Sequence, residues 1–118
     1  MKKSLIKAER LTDVKAIKCL FQHGRRIEAK YTRLVFLANG REINRILVTV
    51  KKGLKSAVVR NRQKRLVREI YRQNKEMLKA GFDIALVIKK EQTDYHLLAQ
   101  EILLLFRHAG IWTSCSCL

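Results

Sequence analysis

The feature that most limits the fold is a strand, a long helix and a second strand in direct succession. Ile46-Leu47-Val48-Thr49-Val50 is a β-branched run, and Phe82-Asp83-Ile84-Ala85-Leu86-Val87-Ile88 is another apolar run of strand length. Between them the spacing predicts a helix from about Ala57 to Leu78, because Val59, Leu66, Ile70 and Met77 share one stripe at roughly 100° per residue. Lys51-Lys52-Gly53 closes the first strand and Gly81 ends the helix. Two strands joined by a crossover helix lie parallel, so the chain must contain a βαβ unit within a mixed sheet.

The flanking segments complete the pattern. Thr12 can cap a first helix, with Leu11 stapling against Ala16 and Asp13 suiting the positive helix end. Val14, Ile17, Leu20 and Phe21 follow at helical spacing, and Gly24 supplies the stop. Tyr31 to Ala38 has strand character, and Asn39-Gly40 is the strongest turn signal. Tyr31 to Val50 therefore reads as an antiparallel pair, with Arg41-Glu42-Ile43-Asn44 lengthening the loop. Thr93 or Asp94 caps a last amphipathic helix carrying Leu97, Leu98, Ile102, Leu105 and Phe106. The expected class is α+β, a two-layer α/β sandwich in the order αββαβα. One domain spans residues 1–118, with an ordered core over about 9–110, a flexible basic N-terminus and a cysteine-containing C-terminal tail.

Charge narrows the partner. Lys plus Arg number 26 against 10 Asp plus Glu, a formal net charge of +16. Self-repulsion of that size points to a polyanion, with nucleic acid ahead of an anionic membrane surface. No stretch approaches the roughly 18 to 20 apolar residues of a membrane span, and the basic start lacks the apolar core of a secretion signal. Cys19, Cys115 and Cys117 are odd in number and unevenly placed, which argues against a disulfide framework and fits a reducing cytoplasm.

The basic residues are densest from Lys51 to Arg72. Taking Arg60 as the origin of a helical wheel, Asn61, Lys64, Arg65, Arg68, Arg72 and Lys75 all lie within roughly 140° on one side. A solvated helix face usually interleaves acids, yet Glu69 is the only acid between Lys51 and Asn74. Arginine forks suit phosphate oxygens, and the asparagine adds capacity for base edges or 2′-hydroxyls. Other chemistries lack support. There is no phosphate-binding glycine loop, and the ten acids form no tight carboxylate cluster of the kind that holds two metals in a protein nuclease. Asp83 is expected to cap a strand end. His23, His96 and His108 lack ligand spacing, and Cys115-Ser116-Cys117 with His108 makes a weak zinc signal.

Val59-Arg60-Asn61-Arg62-Gln63-Lys64-Arg65-Leu66-Val67-Arg68-Glu69 resembles the RNR signature of the bacterial ribonuclease P protein component family. The resemblance extends to Thr49-Val50-Lys51-Lys52, to Gly81-Phe82-Asp83-Ile84 and to Leu20-Phe21-Gln22-His23-Gly24, covering about Leu11 to Phe106. It implies a ββαβ RNA-binding fold with a left-handed crossover around the long helix. It also implies a protein subunit that binds a catalytic RNA and the 5′ leader of precursor tRNA, assisting endonucleolytic removal of the leader. The active centre would lie in the RNA, Mg²⁺ would be held mainly by that RNA, and no protein partner is implied. Matching the family's RNA-contact motif are Arg60, Asn61, Arg62, Lys64, Arg65 and Arg68, with Lys51 and Lys52 at the preceding strand end. Ile17, Phe21 and Val35 match the positions lining the leader cleft, where the family often has aromatics and this chain keeps only Phe21. Under another strand register Tyr31 or Phe36 supplies the aromatic instead. Two rival readings share some of these features: a ribosomal-type structural RNA-binding protein, and a self-sufficient protein nuclease.

Overall fold

The computed structural model describes residues 9–51 and 56–112. The chain runs through helix α1 (Val14–His23), strands β1 (Arg25–Glu28), β2 (Thr32–Ala38) and β3 (Arg45–Val50), then helix α2 (Ala57–Asn74). A single 3-10 turn (Lys75–Met77), strand β4 (Phe82–Ile88) and helix α3 (Tyr95–Ala109) complete it. Lys52 falls outside the described residues, as do Cys115 and Cys117.

One sheet holds all four strands in the order β1-β2-β4-β3, with β3 parallel to β4 and the other pairs antiparallel. The βαβ unit is therefore formed as expected, but the predicted pairing of Tyr31–Ala38 with Ile46–Val50 is not. β4 inserts between them, and β1, whose Arg-Arg-Ile-Glu sequence carries no apolar alternation, takes the other side of β2. The Asn39-Gly40 turn survives as a local bend. Gly40 has φ +70°, and the Asn39 side chain accepts from Arg41 N–H and donates to Ile43 C=O and Asp83. The connection then carries the chain past the end of β4 to its far side.

Alternation along the strands separates two cores. Leu34, Phe36, Ile46, Val48, Ile84, Leu86 and Ile88 point to the face covered by α2 and α3. These two layers are the predicted sandwich. Val35 and Ala85 point the other way, where Leu11 and Leu20 bury them beneath α1. The cap of α1 is Asp13 rather than Thr12, its carboxylate accepting from Lys15 N–H, and Val14 is exposed. Gly24 ends α1 with an ordinary φ of −70°. Its glycine is required by space instead: a Cβ there would lie 2.4 Å from the Leu20 carbonyl oxygen and 2.9 Å from Val35 Cγ1. Asp94 caps α3, with Leu97 turned to solvent. Glu101 ties α3 to the sheet by accepting from Tyr31 N–H and from the Thr32 hydroxyl at 2.8 Å.

Asp83 does not cap a strand end. It is buried within β4 and receives both forks of Arg45 at 2.8 Å. The outer edge of β3 is also covered. Residues 9–11 lie along it as a strap, with Leu11 N–H bonded to Ile46 C=O, and Glu9 paired to Lys75 at 2.8 Å.

Candidate nucleic-acid interface

Helix α2 starts at Ser56, whose hydroxyl accepts from Val58 N–H, and its first turn holds no acid. The positive helix end therefore adds to the side-chain charge. The core-facing residues are Gln63, Val67, Ile70 and Tyr71, whereas Val59 and Leu66 are half-buried and Met77 is exposed. The buried face is rotated by about 65° from the predicted stripe, because a glutamine and a tyrosine go inside where aliphatic residues were expected.

That rotation redistributes the cations. Asn61, Arg62, Arg65 and Arg68 stand exposed, while Arg60 and Lys64 lie half-buried on the flank nearest the core. Lys51 is exposed where β3 ends. Two cations counted on the wheel are matched by acids within the protein. Arg72 forms a two-point pair with Glu69 at 3.0 and 2.6 Å, and Lys75 pairs with Glu9. Hydrogen bonding from Arg72 holds the Glu69 carboxyl below its usual range. Arg60, Asn61, Arg62, Lys64, Arg65 and Arg68 form a crest on consecutive turns of the helix, a stretch of sequence that contains no acid. Arg68 also faces a cleft of about 320 Å³ along the β3 edge, shared with Arg10, Leu11, Thr12 and Leu47.

The second predicted surface lies on the opposite face of the sheet. Ile17 and Phe21 are half-buried on α1, above Leu20, Val35 and Ala85. Val35 has no accessible surface, so it is floor and core rather than a contact residue. Tyr31 and Phe36 cannot stand in for it, because both pack into the core under α2 and α3, Phe36 edge-on to Phe82 at 6.1 Å. Phe21 is the aromatic left on this side. Beyond α1, Glu28 bridges Arg33 and Lys89, and the bond from Lys89 chiefly holds its carboxyl below the usual range.

Sequence reasoning missed the contributions of Asn44, Gln63 and Glu101. Asn44 is a buried loop side chain that donates to Lys79 C=O and accepts from Phe82 N–H. Nothing in a single sequence distinguishes such polar core residues from solvated ones. Among the described residues no group of three His, Cys, Asp or Glu could hold a metal ion. The carboxylates of Glu9, Glu28, Glu69 and Asp83 are held in ion pairs. No helix of the described residues is long and apolar enough to cross a membrane.

A strongly basic helix on a small mixed sheet, with a partly open aromatic on the reverse face, defines an RNA-binding protein of the α+β class. The family profile described as Ribonuclease P matches residues 5–110, and the chain belongs to that family. It is 40% identical over 90 residues to the ribonuclease P protein component of Syntrophus aciditrophicus, covering 75% of this chain and 76% of that one. It is 31% identical over 113 residues to the component from Thermotoga maritima, covering 91% and 97%. The solved structure of the Thermotoga maritima protein superposes with a TM-score of 0.76 over 85% of this chain and 96% of that one, at 31% identity. A Staphylococcus aureus RNase P protein, at 19% identity, shares the fold with a TM-score of 0.80 over 90% and 99%.

Proposed function

We infer that this chain acts as the protein subunit of ribonuclease P, presenting α2 to the catalytic RNA and the α1 side of the sheet to the 5′ leader of precursor tRNA. The observation that carries this reading is the run Arg60 to Arg68, which places five cations and no acid on successive turns of α2 in a chain of this family. Each phosphate neutralised there releases counterions, so the crest supplies affinity and screens repulsion between two RNAs. Phe21 offers a face for an unstacked base of the leader. Hydrolysis of the phosphodiester at the mature tRNA 5′ end, leaving a 5′-phosphate, is assigned to the RNA subunit. Mg²⁺ belongs in this reading to that RNA, and the complex works in the cytoplasm. No side chain of the protein attacks or transfers a proton.

The test is reconstitution with a bacterial ribonuclease P RNA and a precursor tRNA. Added protein should raise single-turnover cleavage at low Mg²⁺ and should produce no cleavage alone. Absence of stimulation would favour a ribosomal-type role, and cleavage by purified protein without RNA would make the chain a nuclease in its own right.

A further inference from the structure

The flank of α2 away from the strap carries a hollow bordered by two crest residues, Arg62 and Arg65. Arg62, Gln63, Arg65, Leu66, Glu69 and Thr93 surround a space of about 420 Å³ between α2 and the segment leading into α3. That is the size of a small-molecule site, roughly 300–1,000 Å³. Its floor is the half-buried Leu66, and the exposed Arg62 and Arg65 form a cationic rim. The charge of Glu69 at this rim is balanced by its ion pair with Arg72.

Gln63 in the wall is fully buried, yet only half of its amide is satisfied. Its Oε1 accepts from Gln92 N–H at 3.2 Å, whereas Nε2 has no partner among the described residues. Exchanging the two amide atoms would set donor against donor, so the orientation is fixed. A buried donor without an acceptor is destabilising, and such a group is normally met by something bound.

The geometry points to a subsite for one unpaired nucleotide of the RNA partner. Its base would lie over Leu66, an acceptor atom of the base would receive the Gln63 Nε2–H bond, and its phosphates would meet Arg62 and Arg65. Splayed-out bases held on apolar or guanidinium planes are a common mode of RNA recognition. The assignment rests on the reading of α2 as an RNA-binding element, and the hollow is continuous with the crest through Arg62 and Arg65.

The experiment titrates the isotope-labelled full chain with AMP, CMP, GMP and UMP, with ribose 5-phosphate as the base-free control, followed by NMR. At least one nucleotide should shift the side-chain amide pair of Gln63 and the methyl signals of Leu66, and ribose 5-phosphate should not. Thr93→Trp, at an exposed rim position, should abolish those shifts. It should also weaken binding to a bacterial ribonuclease P RNA by threefold or more, with a shallower salt dependence as the phosphate contacts of Arg62 and Arg65 are lost. Equal shifts from nucleotide and sugar phosphate would reduce the hollow to an anion site and overturn the assignment. Silence at Gln63 and Leu66, or wild-type RNA affinity in Thr93→Trp, would overturn it as well. Failure of the wild-type chain to bind the RNA at all would instead defeat the reading of α2.

Discussion

Replacing Asp83 tests the account of the sheet most directly. Its carboxylate receives Arg45 Nε and Nη2, both at 2.8 Å, and Asn39 Nδ2 at 2.9 Å. The two charged side chains are only 7% and 14% exposed. The bond from Asp83 raises the Arg45 pKa above its usual value, so Arg45 stays charged throughout the working range. Asp83→Asn keeps the volume, removes the charge and strands a guanidinium with little water to turn to. Breaking a buried pair from one side costs roughly 3–5 kcal/mol, against a total stability of about 5–15 kcal/mol for a domain. For a chain of this size that corresponds to a fall in Tm of roughly 10–20 °C. Removing both charges in Asp83→Asn/Arg45→Met should recover more than half of the loss. Urea unfolding of wild type, both single variants and the double variant gives the coupling energy. A loss below about 1 kcal/mol in Asp83→Asn, or a double variant no more stable than the single, would refute the assigned role. Below its Tm, Asp83→Asn should still bind RNA, since the pair lies on the sheet face away from α2.

Arg60→Gln/Lys64→Gln/Arg68→Gln should remain folded and lower the slope of log K against log salt for RNA by about 2–3, at roughly 0.7–0.9 per phosphate lost. An unchanged slope would make the crest a solvated face. Phe21→Ala should weaken binding of leader-bearing precursor about tenfold while sparing mature tRNA. Val35→Ala should cost about 2 kcal/mol of stability and shift both substrates equally, as expected for core. Burial raises the Tyr71 pKa above its usual 10.0. Its contribution is thus complete below pH 10 and lost as pH rises further, because the unfolded phenol ionises first. Tyr71→Phe should flatten that alkaline limb of the stability profile, and an equally steep limb in the variant would place its cause elsewhere.

The elements with strong periodicity were legible: α1, the βαβ unit, α3 and the acid-free run on α2. Family resemblance carried the functional reading beyond what charge alone supports. The pairing of strands was not legible, because β2 and β3 look like hairpin partners around Asn39-Gly40 and only the competition for strand edges decides otherwise. β1 was invisible for a related reason. An exposed edge strand of Arg25, Arg26, Ile27 and Glu28 has no buried face to impose alternation. On α2 the aliphatic residues alone gave a stripe displaced from the true one, since Gln63 and Tyr71 are buried through contacts made far along the chain. Arg72 and Lys75 were counted as outward cations because Glu9, the partner of Lys75, is remote in sequence, and Glu69 was read only as a lone acid. The cleft residues divide the same way. Phe21 remains at the surface, whereas Val35 disappears beneath α1 at Gly24.

The place of β4 between β2 and β3 has a consequence for the order in which the protein becomes itself. A nascent chain that has reached Leu78 contains α1, three strands and α2, but of the sheet it can form only the β1–β2 ladder. Each β2–β4 pairing joins residues about 50 apart, so closure is entropically costly and topology makes it slow. β3 and α2 acquire their support only when Phe82–Ile88 arrives. The basic helix is thus synthesised before anything holds its charges in place, and its rigid presentation to RNA begins with the last strand.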